Sequence, residues 1–291
     1  MKKIACLYFI LLLGAFGQKR DPRSVAMAGA TTTTADGIYA VGFNPGLIAF
    51  QKEKPFMLQL GGLDFGLSNN YLSMAAMNTL SGDTLDKDEK STIINRLDSR
   101  GGLTFDLNGQ VATPGINYAS GNMVLTSNIL YMSSYALPAG MARLMLEGNT
   151  NNPDVDMTLG LEIMSVHELG FSFAVPFESY AVGFTLKYLQ GLFYMGIDPD
   201  SSSANLITTP RAVYGSGSYY LRQGFGGAGY GLDIGIATKE FNGYRFGVSL
   251  INAIGSIGWN KPSFIKDVII SIIRSIWSVA FGCCVGLSKF K

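Results

Sequence analysis

The sequence predicts an all-β protein, a transmembrane antiparallel β-barrel with a short N-terminal plug segment and two small helices. Three observations lead to this prediction. Charged residues are only 15% of the 291 residues, the mean hydropathy is +0.23, and 36 residues are glycine. Apolar residues alternate with small or polar residues along several segments. No apolar run between Gln18 and Pro262 reaches the roughly 20 residues that a membrane-spanning helix requires.

The composition also restricts the class of protein. A hydrophobic content of 47% excludes intrinsic disorder. The net charge of +1 argues against a nucleic-acid partner, because binding to phosphates requires a basic surface. By composition alone, a membrane protein and a glycine-rich soluble sandwich both remain.

The first 17 residues have the pattern of a secretory signal peptide. They begin with two lysines after Met1, continue with an apolar run of about 10 residues, and end with small residues. That run is too short to span a bilayer. We therefore expect an exported chain.

The alternation of apolar and polar residues distinguishes a membrane protein from a glycine-rich soluble sandwich. Residues 103–111 place apolar side chains on one face and polar ones on the other, and the pattern recurs at 157–163, 182–188, 232–236 and 246–250. A soluble sandwich covers its outer face with Lys and Glu, whereas the second face here carries Gly, Ser, Thr and Asn. A barrel with apolar residues toward lipid and a polar lumen fits this pattern.

Two segments break the strand pattern and predict helices, at residues 84–97 and 138–147. The first has acidic residues early and is followed by Gly101 and Gly102, and the second ends at Gly148. Both are too short and too polar to span a bilayer, so we expect them at the barrel rim or inside the lumen.

Polar residues on the non-lipid faces of the strands are the candidate functional residues. Inside a barrel they would pair with one another or with the plug, because unpaired charge away from water is costly. A structural network and a role in selectivity are both open. The candidates are Asp106, Asn108, Gln110, Glu162, Lys187, Asp233 and Arg245.

Three segments of the chain resemble known outer-membrane proteins. After Met27-Ala28-Gly29 and a threonine run comes Asn44-Pro45-Gly46-Leu47, which resembles the N-terminal signature of the FadL-like superfamily of outer-membrane β-barrels. The same signature is also similar to PorV-like proteins of type IX secretion, and residues 229–235 and 252–259 are similar to segments of uncharacterised outer-membrane proteins. The resemblance implies contact with outer-membrane lipid and binding or passive transport of small hydrophobic molecules. The alternatives are a PorV-like surface protein that binds secreted proteins, or a non-transporting structural protein.

The resemblance also implies a bacterial outer-membrane location, with a plug-like segment at residues 18–54 and a barrel at residues 55–291. It further implies that Asn44, Pro45 and Gly46 form part of a helical plug inside the barrel. The residues themselves predict a sharp turn. Pro45 removes a backbone donor and disfavours the helical region for Asn44, and Gly46 can adopt a positive φ. A purely structural turn and a direct ligand contact are both open.

The length of the chain predicts about 10 strands, fewer than in the superfamily that it resembles. We therefore expect an incomplete, C-terminally truncated or frameshifted product. Beyond Trp259, residues 269–287 fit either a strand with alternating faces or a helix that would carry Arg274 into the bilayer.

Motifs for catalysis or metal binding are weak. His167 is the only histidine and no Gly-x-Ser-x-Gly motif is present, so we expect His167 at a turn or rim. Residues 224–229 match the Gly-x-Gly-x-x-Gly pattern of a dinucleotide-binding motif, but a strand follows them instead of a helix. The acidic residues of 152–156 and 198–200 lack the remaining ligands of a calcium loop. We expect no enzyme activity, no cofactor and no metal; a secreted soluble β-protein is a third alternative.

Overall fold

The computed structural model describes residues 24, 26, 31–51, 56–73, 76, 84–148, 154–209 and 212–260, and the backbone of 263–275. The signal peptide and the C-terminal segment beyond residue 275, including its strand-or-helix alternative, lie outside the described residues. The same holds for most of the predicted plug-like segment before residue 31.

The described residues contain twelve strands in one antiparallel sheet, which confirms the all-β prediction. The strands are β1 (Phe56–Gln59), β2 (Gly62–Asn69), β3 (Leu103–Ala112), β4 (Asn117–Ser120), β5 (Met123–Leu137), β6 (Asp154–Asp156), β7 (Gly160–Pro176), β8 (Tyr180–Ile197), β9 (Ser203–Thr208), β10 (Ala212–Thr238), β11 (Gly247–Trp259) and β12 (Ser263–Ser275).

The twelve strands align into seven rows, because short strands follow one another along the same edge of a longer neighbour. Strands β3 and β4 both pair with one edge of β5, and β8 and β9 both pair with one edge of β10. Strands β11 and β12 together cover the other edge of β10. The sequence predicts about ten strands. The number differs because that prediction includes neither the short strands nor their end-to-end arrangement along one neighbour. In the described part of the chain, the first and last rows do not pair, so the sheet is open.

The two faces of the sheet differ in chemistry. We call the face against which residues 31–51 pack the inner face, and the opposite one the outer face. On β8, Ala181, Gly183, Thr185 and Lys187 are buried on the inner face, whereas Leu186 is 53% exposed on the outer face. The predicted alternation of apolar and polar faces is confirmed.

Residues 31–51, which we call the plug, lie at one end of the inner face. They contain two short 3-10 helices, Gly37–Ala40 and Pro45–Phe50, and the second contacts β7, β8 and β10. Apolar plug residues and small strand residues form a buried cluster, which consists of Ala35, Ile38, Ala40, Val41, Phe43, Leu47, Ile48, Ala119, Val124, Ala174 and Ala237.

The two predicted helices are present as α1 (Lys87–Asp98) and α2 (Ala139–Glu147). Helix α1 begins with a capping box in which Asp86 and Glu89 each accept a hydrogen bond from the other's backbone N–H. The two helices contact each other, and the Arg143 guanidinium lies 2.6 Å from the Asp98 carboxylate. They connect strands at the end of the sheet opposite the plug, which matches the rim location. No helix among the described residues is long and apolar enough to cross a membrane.

Candidate functional site

The plug is attached to the sheet through the side chain of Asn44, which is fully buried. Its Oδ1 accepts a hydrogen bond from the Gly46 N–H at 2.9 Å and thereby caps the second 3-10 helix. Its Nδ2 donates to the carbonyls of Thr32 and Ile236, each at 3.0 Å. Asn44 therefore links two parts of the plug to strand β10.

Glycines on the strands make room for this turn. A Cβ atom added at Gly183 would overlap the Pro45 carbonyl, and one added at Gly235 would overlap the Asn44 side chain. Gly46 itself lies so close to β10 that a Cβ would come within 3.0 Å of the Ala237 nitrogen. Gly46 does not have the positive φ that its glycine allows. The prediction of a sharp turn holds, but the reason for glycine is close backbone approach.

Arg245 belongs to the plug contact and not to an open lumen. It lies just before β11, and its guanidinium donates to the Thr33 carbonyl at 3.3 Å. The same group lies 5.4 Å from the centre of the Phe50 ring, within the range of a cation–π interaction. Contact with the plug is one of the two pairings expected for the candidate residues.

Lys187 and Asp233 meet on the inner face, as the sequence-based pairing hypothesis required. The Lys187 Nζ lies 2.8 Å from Asp233 Oδ1 and 3.7 Å from Glu168 Oε2, and it donates to Asn252 Oδ1 at 2.9 Å. The Lys187 side chain is 4% exposed and Asp233 is fully buried. We call these four residues the ion cluster.

The ion cluster also lies at an irregularity in the pairing of β10 with β11. Asn252 has a φ of 53° and lies where the register between β10 and β11 shifts. Its backbone N–H donates to Asp233 Oδ1 at 2.7 Å, which replaces a regular ladder bond at this bulge. The cluster therefore pairs buried charge and sets the register of β11.

The other candidate residues lie on the inner face but form no single network with the ion cluster. Asp106 accepts a hydrogen bond from the Ser134 hydroxyl at 2.8 Å. Glu162 accepts one from the Tyr194 hydroxyl at 3.4 Å. Asn108 and Gln110 follow Asp106 on the same face of β3. These groups are spread over several rows of the sheet.

A cavity of about 190 Å³ lies between the plug and the first rows of the sheet. Its plug wall is formed by Ile38, Tyr39, Val41 and Phe43, and its sheet wall includes Asp64, Gln110 and Asn128. The plug wall is thus largely apolar, and the sheet wall carries amide groups and a carboxylate. Such a cavity suits a small molecule with an apolar body and a polar group.

Glu168 and Asn252 were missed by the sequence reasoning. Glu168 starts an alternation with Gly170 and Ser172 on the inner face, which could have been recognised as a strand. The prediction that His167 lies at a turn or rim is wrong. His167 lies within β7 on the outer face, with its Nε2 2.9 Å from the Ser127 hydroxyl. The bulge that positions Asn252 has no signal in the local sequence.

Among the residues that the structure describes, no group of three or more His, Cys, Asp or Glu side chains is arranged to hold a metal ion.

Comparison with known proteins gives one match. Residues 45–267 match the model of a family of unknown function, DUF5723. This range includes the Asn-Pro-Gly turn only from Pro45 onward, and the whole ion cluster. No curated protein and no solved structure matches the chain at the significance threshold.

Proposed function

We propose that this chain, which belongs to the DUF5723 family, is an outer-membrane β-barrel protein that binds or passes small hydrophobic molecules by a passive, non-enzymatic route. The observation that carries the proposal is the reversed distribution of side chains. Large apolar residues are exposed on the outer face, whereas charged and polar residues are buried on the inner face. A lipid-facing barrel requires this arrangement, and a water-soluble sheet does not tolerate it.

The exposed apolar residues form a continuous surface and are not scattered. On β2, Leu63, Phe65 and Leu67 are 81%, 67% and 65% exposed. On the paired strands β10 and β11, Ile236 and Val248 are neighbours and are 46% and 66% exposed. An apolar surface that extends across neighbouring strands would cause aggregation in water, so it supports burial in a membrane.

The plug supports a binding or gating role. Its attachment through Asn44 consists of one hydrogen bond to the Ile236 carbonyl of β10 and of close contacts with strand glycines, while the other two Asn44 hydrogen bonds lie within the plug. A segment held in this way closes one end of the inner face. Its displacement would open a path along that face.

The cavity beside the plug supports the choice of ligand. It lies between apolar plug side chains and the amide groups of Gln110 and Asn128. Its volume of about 190 Å³ accommodates a small molecule or one part of a longer one. A hydrophobic molecule with a polar head could satisfy both walls.

The membrane location is tested by expressing the mature chain and fractionating the cells. We expect the protein in the outer-membrane fraction, resistant to carbonate extraction, and shifted in electrophoretic mobility by boiling in SDS. A mature chain that remains soluble and monomeric without detergent would favour the secreted soluble alternative and contradict the proposal.

Passage of cargo is tested with a hydrophobic fluorescent dye and vesicles that contain the purified protein. Asn44→Ala removes the hydrogen bond between the plug and β10 and the cap of the second 3-10 helix, and we expect faster dye passage than with the unchanged protein. The matched control is Gln223→Ala, an amide on β10 twelve residues from Gly235. Equal rates of dye passage through both variants, with normal assembly, would contradict the gating role.

Binding of exported proteins, the PorV-like alternative, would use the opposite end of the sheet. There α1 and α2 contact each other and form an outward-facing pair linked by Arg143 and Asp98. Purification from native membranes distinguishes the two functions. A bound lipid found by mass spectrometry favours the first, and a secreted protein at equal stoichiometry favours the second.

A further inference from the structure

One row of the outer face carries polar side chains among apolar and small neighbours. The register of the strands places Ile129, His167, Gln190, Ala228 and Gly258 side by side, on β5, β7, β8, β10 and β11. We call these five residues the Gln190 row. Gln190 is exposed and His167 is half-buried. An amide and an imidazole are thus paired neighbours on a face whose large exposed residues are mostly apolar.

Apolar residues lie on both sides of the Gln190 row along the strands. Toward the plug, Phe171 and Leu186 are exposed on the outer face. Toward the helices, Phe65 and Phe225 are exposed on the same face. The Gln190 row therefore lies within the apolar surface and not at its border. In the proposed barrel, it would lie inside the lipid-covered wall.

Two polar groups of this row have no partner within the described part of the chain. The Ser127 hydroxyl donates its one hydrogen to Thr113 Oγ1 at 2.9 Å, so it accepts from His167 Nε2, also at 2.9 Å. In the neutral imidazole, Nδ1 is then the acceptor. Neither this Nδ1 nor the Gln190 amide forms a hydrogen bond with another described residue. Lipid supplies no such partner, so an unpaired amide in a lipid-covered wall is costly and indicates a functional site.

Small residues beside Gln190 form a shallow depression. Ala228 and Gly258 are paired neighbours on β10 and β11, and a Cβ added at Gly258 would lie 3.9 Å from its nearest neighbour. Along β10, Tyr230 lies two residues from Ala228 toward the plug, and Phe225 lies three residues from it toward the helices. Both aromatic side chains are 60% exposed. The depression therefore has a floor of small residues between two aromatic side chains, with the Gln190 amide at one end.

We propose that this depression binds a membrane-dissolved molecule with a planar ring that carries a carbonyl or hydroxyl oxygen, a class that includes quinones. The ring lies over Ala228 and Gly258 and contacts the two aromatic side chains. The Gln190 amide donates to a carbonyl or accepts from a hydroxyl, and His167 Nδ1 accepts from a hydroxyl.

An acyl chain does not fulfil the same role. It has no hydrogen-bonding group, so it would leave the Gln190 amide and His167 Nδ1 unpaired. The depression is also separate from the cavity beside the plug, which lies on the inner face. The inference rests on the proposed function, because the cost of the unpaired groups arises only where lipid covers the outer face.

Binding is measured with menadione, a methylated naphthoquinone, and with methylnaphthalene, which has the same ring system without the carbonyl oxygens. Equilibrium dialysis compares vesicles of phosphatidylcholine that contain the protein with vesicles that lack it. Gln190→Leu removes the amide at nearly the same volume, and Ala228→Leu fills the depression. The matched control is Gln223→Leu, which removes an outer-face amide of β10 beyond Phe225.

We expect Gln190→Leu to weaken menadione binding by about five-fold and to leave methylnaphthalene binding unchanged, because it removes one hydrogen bond. Ala228→Leu should weaken the binding of both. Menadione binding that is equal in Gln190→Leu and Gln223→Leu would overturn the proposal while leaving the proposed function intact.

Two further results would also count against it. A disulfide-linked dimer of Gln190→Cys, in a chain lacking Cys283 and Cys284, would assign the Gln190 row to contact with a second copy and overturn the ligand site. Removal of the protein from the vesicles by carbonate would overturn the proposed function itself.

Discussion

At the scale of single residues, Lys187 is the cation that pairs with the buried carboxylates of the inner face. It is the cation within 4 Å of both Asp233 and Glu168, and its own side chain is 4% exposed. A buried charge without a partner is costly, whereas a satisfied buried pair is close to neutral in free energy.

Replacement of Lys187 by Met therefore leaves Asp233 and Glu168 buried without their cation. We expect Lys187→Met to lower the free energy of unfolding by about 3–5 kcal/mol, measured by urea titration in vesicles or micelles. The control is Arg222→Gln, whose ion pair with Asp198 is half exposed and should contribute no more than about 1 kcal/mol. Equal losses in the two variants would show that the ion cluster is not a site of buried charge pairing.

Gly183 tests the contact of the plug with the sheet. A methyl group there would overlap the Pro45 carbonyl, so we expect Gly183→Ala to destabilise the docked plug by about 1–3 kcal/mol. Limited proteolysis within residues 31–51 measures the loss.

The matched control for Gly183 is Gly109→Ala on β3. A Cβ at Gly109 would lie 3.7 Å from its nearest neighbour, in ordinary van der Waals contact. Plug proteolysis that is as fast in Gly109→Ala as in Gly183→Ala would contradict a specific docking contact.

At the scale of elements, local sequence explains the helices better than it explains the strands. Helix α1 has its own start signal, in which Asp86 and Glu89 satisfy each other's backbone N–H groups. The strands have no such local signals. Their alternation of apolar and polar residues defines two faces, but it does not specify which surface each face contacts.

Loss of the N-terminal cap of α1 should destabilise this helix without destabilising the sheet. We expect Asp86→Ala to destabilise the helix by about 1 kcal/mol, seen as faster amide hydrogen exchange in its first turn, with no change in the sheet. Lys87→Ala, at an exposed neighbouring position, serves as the control. Faster exchange in β3 as well would mean that the helix and the sheet unfold as one unit.

At the scale of the whole molecule, the exposed apolar residues of the outer face make the cost of a charge depend on where it is placed. Leu186→Arg places a cation on the proposed lipid-facing surface, and we expect it to destabilise insertion by about 2–4 kcal/mol. Met145→Arg on α2, where the residue is 81% exposed, should cost at most about 1 kcal/mol. Refolding into vesicles measures both, and equal costs would contradict lipid contact of the outer face.

The lengths of the connections predict the orientation of the molecule. The turns at the plug end are short, such as residues 177–179, whereas those at the opposite end carry α1 and α2. Outer-membrane barrels have short periplasmic turns and longer external loops, so we expect the helices outside the cell.

This orientation is tested by labelling intact cells with a membrane-impermeant maleimide, in a chain lacking Cys283 and Cys284. Met145→Cys on α2, which is 81% exposed, should react at once. Lys239→Cys should react only after the outer membrane is permeabilised. The reverse order would place the plug at the external side.

The sequence by itself determined the two faces of the sheet, the two helices and the turn at Pro45. These follow from local rules, namely the two-residue period of a strand, helix start and stop signals, and the fixed φ of proline. Only the tertiary structure decided that Lys187 meets Asp233 and Glu168, that Arg245 contacts the plug, and that Gly183 and Gly235 receive Asn44 and Pro45. Each of these contacts joins segments far apart in the chain. Their alignment depends on strand register and on the bulge at Asn252, which the pairing of whole strands decides and no local pattern encodes.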